Sequence, residues 1–339
     1  MSETTLTDRP KGTTLPGLVG VELRRLWWRR LTKVALVAAI AITGVTVYTA
    51  YQMTNPESLA RSLELYEREV ASFPQAIAEC ERAQQQARDA GQPDADFGCT
   101  QMQPPTLESF AAANPVPSAI FTGLLRTNGL LYAFLAFLIG ASFVAAEFST
   151  GSLGNWLTFQ PRRLRVGLSK LVAAAGGGLL VAGAGVGMAA LGSWMVGTVN
   201  RPDSSVQIPL VTDFGEPLTH LVVRHVGIIM AAGMVGAALA FLVRNTGAVV
   251  GIAMGYLVVV ELILGHGLLI GRLDPWLVST NVTAFLERGT TYPSTSCSPA
   301  GCEPMTVTVT YTQGWSYLLA VGSGLVAAAL LLFRRRDVV

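Results

Sequence analysis

The chain has 339 residues, 51% of them hydrophobic and only 14% charged, with a formal net charge of +2. A soluble domain carries about 25% charged residues to cover its surface, so this deficit points to a chain coated by lipid. No broad positive field exists to attract nucleic acid, which is excluded as an expected partner.

In chain order, residues 1–30 read as a basic tail followed by an interfacial helix. Over Gly17–Lys33, helical spacing puts Val19, Leu23, Leu26, Trp27 and Leu31 on one face. It puts Glu22, Arg25, Arg29 and Lys33 on another. Trp27 and Trp28 beside arginines suit a helix lying among membrane lipid headgroups. A plain basic flank of the first span fits the same residues. That span covers 31–51. No small-residue cleavage site follows it, so it reads as an uncleaved signal anchor.

Residues 52–127 form a polar insertion rich in Glu, Gln, Ala and Arg. Leu59–Val70 and Pro74–Ala90 are expected as two helices, with Pro74 in the first turn of the second. Further spans are expected at Asn128–Glu147, Leu171–Thr198, Leu221–Val243, Gly247–Ile270 and Trp315–Phe333, since about 20 apolar residues cross a bilayer. The fold class is therefore an all-α membrane protein with six transmembrane helices. The region 128–270 holds spans two to five, with a connecting loop at 147–170. A second large loop covers 271–314, and 315–339 holds the last span and a basic tail. Thr306–Thr312 alternates and is β-branched, so a short strand is expected there.

Fifteen of the 24 Lys and Arg residues lie before or just inside the first span, at 162–170, at Arg244 and after the sixth span. By the positive-inside rule these segments face the cytoplasm, with both termini inside. The loops 52–127 and 271–314 then face outward. All four cysteines, Cys80, Cys99, Cys297 and Cys302, fall in those two loops. Pairing within each loop, Cys80–Cys99 and Cys297–Cys302, is the simplest of the three connectivities, with free thiols as the alternative.

The stretch Glu147–Leu171 reads EFSTGSLGNWLTFQPRRLRVGLSKL. Leu153–Phe159 is expected as a short helix, capped by Thr150 and ended by Pro161. Trp156, Leu157 and Phe159 would sit on an aqueous face and suit a partner protein, or fold back on the membrane. Gly247, Gly251 and Gly255 in span five, and Gly183 and Gly187 in span three, form small-residue ladders for close helix contact. The contact lies either within the chain or at a dimer interface.

Glu261 is the one acid deep in a span, where charge is costly. Arg224, His225, Glu261 and His266 fall at a similar level and are expected to form a polar cluster. A structural Arg–Glu pair, a substrate- or proton-linked site and a metal site are the readings of it. Asn281-Val282-Thr283 matches a glycosylation acceptor but is assigned no role. The three lysines, Lys11, Lys33 and Lys170, follow Pro, Thr and Ser. None completes a Gly-Lys-Ser/Thr phosphate loop, so the chain carries no ATPase motif of its own.

In the order of these features the chain resembles the permease subunit of bacterial type-2 ABC exporters. The residues that carry the resemblance are Glu22-x-x-Arg25 in the first helix and the series Glu147, Gly151, Ser152, Thr158, Pro161, Arg163 and Lys170. The ending Phe333–Asp337 adds to it. The insertion 52–127 departs from the family pattern. The resemblance implies that a partner ATPase, which binds ATP and Mg, grips a coupling helix at Thr150–Gln160. The implied coupling set is Glu147, Thr150, Gly151, Ser152, Leu153, Trp156, Leu157, Phe159, Pro161 and Arg163. Two permease copies would work together, with no catalytic residue, metal or cofactor in this chain. The substrate would be a drug, lipid or amphipathic peptide. A gradient-driven transporter is one alternative. A membrane-anchored sensor acting through 52–127 is another.

Overall fold

The computed structural model describes residues 14–92, 96–106, 116–159, 162–200, 217–268, 273–298 and 301–335. Ten α-helices and one β-hairpin are found among them. Six helices are long and apolar enough to cross a membrane, as the composition implies. They are α2 (Arg30–Thr54), α4 (Pro117–Ser149), α6 (Arg163–Val199), α7 (Leu218–Val243), α8 (Thr246–Gly255, with a span that runs to Gly265) and α10 (Tyr311–Arg335). The remaining helices are α1 (Leu15–Trp27), α3 (Pro56–Asp89), α5 (Ser152–Phe159) and α9 (Val278–Leu286).

The chain divides into two compact units. The first comprises Met1–Thr43, Leu125–Met188 and Gly215–Val339. Its core joins Leu26, Tyr132, Phe143, Leu171, Ile229 and Phe241. Here α4, α6 and α7 approach backbone to backbone. A Cβ at Gly140 would lie 2.0 Å from the Gly233 carbonyl oxygen, and one at Gly236 would lie 2.2 Å from that of Phe137. Gly178 meets the Ile229 carbonyl in the same way, at 2.7 Å. The glycines singled out by regular spacing behave differently. A Cβ at Gly183, Gly187, Gly251 or Gly255 would meet nothing within 4 Å, and one at Gly247 would meet only its neighbour Asn245. The intrachain reading of the span-five ladder is thereby corrected. Its helix is exposed along nearly its whole length, with 11% of its apolar window buried against 56% in α4.

Beyond Gly255, α8 continues as a π-helix over Tyr256–Leu268. Its wider turns carry Tyr256 and Glu261 to the start of α9. The segment before the hairpin, expected as loop, is this short helix. Asn281, the glycosylation-type asparagine, is fully buried on it and donates to the carbonyls of Pro275 and Leu277, both at 2.8 Å. The hairpin pairs β1 (Gly289–Ser298) antiparallel to β2 (Gly301–Thr310). Among the described residues this hairpin is the only sheet, and the architecture is that of an all-α membrane protein. The expected strand is present but ends at Thr310, because Tyr311 opens α10. The register sets Cys297 opposite Cys302. The side chains of both cysteines lie outside the described residues.

The second unit comprises Gly44–Leu124 and Ala189–Phe214. Asn200 holds its core by donating to the Tyr51 carbonyl and the Thr54 hydroxyl, both at 2.8 Å. Helix α3 opens with Asn55 as N-cap, which accepts the Ser58 N–H at 2.7 Å, and Pro56 in the first turn. It then runs unbroken for 34 residues through Pro74. The two helices expected here are one. A proline inside a helix loses one hydrogen bond. The carbonyl that loses its donor is that of Val70, a residue 41% exposed, so water can replace the bond. The disulfide Cys80–Cys99 ties the end of α3 to the returning chain, with Cα atoms 5.7 Å apart.

Candidate functional site

The first unit holds a cluster of charges built from four separate elements. Helix α1 buries a face made of Leu18, Glu22 and Leu26. Sequence spacing had grouped Glu22 with the exposed arginines; in the fold it is 1% exposed. Trp27 and Leu31, expected on the apolar face, are exposed. The chain breaks at Trp28 and Arg29 before α2 begins. A helix reading that continues through Lys33 is therefore too long, and the face it drew rotates at the break.

Buried Glu22 meets Lys170, which is itself fully buried on α6. The Lys170 Nζ lies 2.9 Å from Glu22 Oε1 and 2.6 Å from Glu147 Oε2 at the end of α4. The shorter contact is an ion pair whose angles fall outside hydrogen-bond geometry. Arg25 reaches both carboxylates from the rim, 3.5 Å from Glu22 and 3.3 Å from Glu147. Trp156 of α5 donates its indole N–H to Glu22 Oε1 at 2.9 Å. Its ring lies beneath the Arg25 guanidinium at 5.7 Å. Phe143 of α4 supplies a second aromatic face, 5.1 Å from the Lys170 ammonium and 5.4 Å from the Arg29 guanidinium. Arg29 also donates to the Ser142 carbonyl at 2.7 Å. Burial lowers the Arg29 pKa from its usual value, and the nearby Glu147 carboxylate opposes that shift.

Physically this is a knot. Two carboxylates and an ammonium leave water together, a loss repaid only when geometry and extra hydrogen bonds are good. The Trp156 indole and the two guanidiniums supply those bonds and contacts. Displacing α1, α4 or α6 separates opposite charges in a low-dielectric site, and displacing α5 strips the buried Glu22 carboxylate of its indole N–H. The cluster therefore ties the four elements to one another, because removing any one partner leaves a buried polar or charged group uncompensated.

Among the expected coupling residues, Glu147 and Trp156 join the knot and Leu153 is fully buried. Trp156 does not lie freely on an aqueous face, since its indole turns inward to the buried acid. Thr150 does not cap α5. Its hydroxyl donates back to the Ala146 carbonyl at 2.9 Å and lies 3.1 Å from Ser152 Oγ, whose hydroxyl is then the donor. Gly151, at φ 66°, makes the turn that α5 needs. Ser152 and Arg163 open α5 and α6. Pro161 and the side chains of Leu157 and Phe159 lie outside the described residues. On α1 and its break, Trp28 is 65% exposed, with the Lys33 ammonium 5.0 Å over its ring.

Around the residues of the cluster expected in the spans, the structure shows the following contacts. Arg224 donates from Nε and Nη2 to the Leu286 carbonyl, at 3.0 and 2.7 Å. Glu261 accepts the Ser279 N–H at 3.1 Å and also the Ser279 hydroxyl. Tyr256 accepts the Val278 N–H at 3.2 Å. Together Tyr256 and Glu261 occupy N–H groups that the first turn of α9 leaves open, so the acid acts as a helix cap supplied from elsewhere. His225 is buried on α7, its Nδ1 within 2.9 Å of the Leu221 carbonyl and its ring against Gly129. The His266 side chain lies outside the described residues.

Sequence spacing gave no sign of Ser142, Phe143 or Ser279 in these sites. Lys170 was visible only through its place in the family-like series. Compared with known proteins, the chain matches no family model and no curated sequence, so the functional reading rests on this geometry.

Proposed function

We propose that the chain is the permease subunit of an ATP-binding-cassette exporter in the cell membrane, with both termini in the cytoplasm. It moves a hydrophobic or amphipathic substrate outward, driven by a separate ATPase. The observation that supports this most is the buried contact of Trp156 and Lys170 with Glu22. A motor that pushes on α5 acts through Trp156 on α1, and through the shared charges on α4 and α6. A short helix between two spans, tied by its Trp156 indole to a buried carboxylate that ion pairs join to two of those spans, suits the transmission of force better than a passive loop does. The chain has no phosphate-binding motif, so the motor would be supplied by a partner.

The test is recovery of the tagged full-length chain from its own cells in mild detergent. A Walker-motif ATPase should co-purify, and Trp156→Ala should reduce its yield with the chain still inserted. Recovery of the intact chain without any ATPase would overturn the reading.

A further inference from the structure

Arg24 and Arg25 lie one turn before Trp28, so helical spacing puts all three on one side of α1. They line an open hollow whose other wall is Phe143 and Glu147, one turn apart on α4, with Arg29 at the break between α1 and α2. Its volume is about 480 Å³, within the range of about 300–1,000 Å³ usual for small-ligand pockets. The acids of this region are already matched. Glu22 is buried against Lys170 and the Trp156 indole. Glu147 is held between Lys170 at 2.6 Å and Arg25 at 3.3 Å. Among the described residues, no acid lies within ion-pair distance of Arg24 or Arg29. Arg29 uses one N–H on the Ser142 carbonyl, and a guanidinium has about five to give. Burial works against the Arg29 charge, a cost that a neighbouring anion offsets. Lys33 adds a further cation over the Trp28 ring. The hollow thus has surplus positive charge and N–H donors in reserve.

We propose that this hollow binds the phosphate of an anionic membrane lipid. Guanidinium groups meet phosphate oxygens in a two-bond fork, and basic pockets beside spans take anionic headgroups. The setting favours a lipid over a soluble anion. Span α2 begins at Arg30, directly after the hollow, and Leu31 and Val34 leave apolar surface exposed on its first turns. Trp28 is 65% exposed, and tryptophan is the side chain that settles at headgroup depth. A soluble phosphate gains the charge contacts and none of the apolar surface. A basic flank that serves topology alone needs charge at this depth, not arginines that share a hollow. Because α1 and α4 form its two walls, an occupant adds contacts across their junction and stabilises the folded chain. The site requires only that the spans lie in a membrane; it does not rest on what drives them.

The test uses the full-length chain in neutral detergent, with phosphatidylglycerol, phosphatidylcholine or inorganic phosphate added in turn. Native mass spectrometry reads the lipid retained, and heating reads the monodisperse protein that survives. Phosphatidylglycerol should be retained several-fold more than phosphatidylcholine and should raise the melting temperature. Inorganic phosphate at the same concentration should neither raise it nor displace the lipid. Arg24→Gln with Arg29→Gln should cut retention several-fold. Arg24→Lys with Arg29→Lys keeps the charge but loses the fork, and should cut it as well. Arg24→Gln alone guards against a folding fault from Arg29→Gln, since Arg24 is exposed and in no ion pair among the described residues. Arg334→Gln with Arg335→Gln, at the basic end of α10, controls for general attraction of anionic lipid and should leave retention unchanged. Equal retention of the two lipids, undiminished retention in the Gln or the Lys pair, an equal loss in the α10 control, or equal stabilisation by inorganic phosphate would each overturn the proposal.

Discussion

Replacing Lys170 with Met tests whether the charge knot holds α1 in place. The substitution keeps the apolar stem and removes the ammonium. Glu22 and Glu147 are then left 1% and 4% exposed, facing each other without their shared cation. Arg25 remains, but at 3.5 and 3.3 Å, with a side chain 40% exposed. Stripping one partner from a buried ion pair costs about 3–5 kcal/mol. Arg25→Gln removes a partly solvated rim charge and should cost about 0.2–1 kcal/mol. Glu22→Gln added to Lys170→Met removes one stranded charge, so the double variant should be more stable than the sum of its singles predicts. That non-additivity is the signature of direct contact. The assay is the fraction of monodisperse protein left after heating in mild detergent. Equal small losses for Lys170→Met and Arg25→Gln would mean a solvated cluster, and a strictly additive double would deny the contact between Glu22 and Lys170.

Ser279→Ala should cost about 1.5–3 kcal/mol, the worth of a hydrogen bond to a charged group, read by the same heating assay. Glu261→Gln should lower stability as well; loss of transport at unchanged stability would instead give Glu261 a direct role. Gly236→Ala forces a methyl to within 2.2 Å of a backbone oxygen that has no rotamer to yield. It should cost about 1–3 kcal/mol or more. Gly251→Ala meets open space and should be neutral or gain up to about 1 kcal/mol in helix propensity in the isolated chain. Cys99→Ser should cost about 3 kcal/mol by opening the loop to Cys80, read as faster proteolysis after α3.

The spans were legible because a run of about 20 apolar residues is set by bilayer thickness and little else. The Cys80–Cys99 bond was legible from placement alone. What failed was azimuth. Hydropathy and charge give the depth of Arg224 and Glu261 but not the direction in which each helix turns them, so neither the Leu286 nor the Ser279 partner could be read. The same limit hid the burial of Glu22, because a charge grouped with arginines on a helical wheel reads as solvated. Regular glycine spacing misled for a related reason. The close approaches use Gly140, Gly178, Gly233 and Gly236, which come from three different helices. Their match in height is a property of the packed bundle and leaves no periodic trace in any one segment. Pro74 was read as a helix start because local preference says so, yet a long exposed helix can absorb it.

The contact between Glu22 and Lys170 spans 148 residues of sequence. At about 5–20 residues per second of synthesis, α1 exists for roughly 7–30 s before its buried cation is made. Throughout that time Glu22 has no reason to leave water. The first of the described helices therefore docks only after about half of the chain has been made. Its arrival reports that α4 and α6 are already side by side, so a chain truncated or misthreaded before Lys170 would display α1 loose at the membrane surface, open to quality-control proteases.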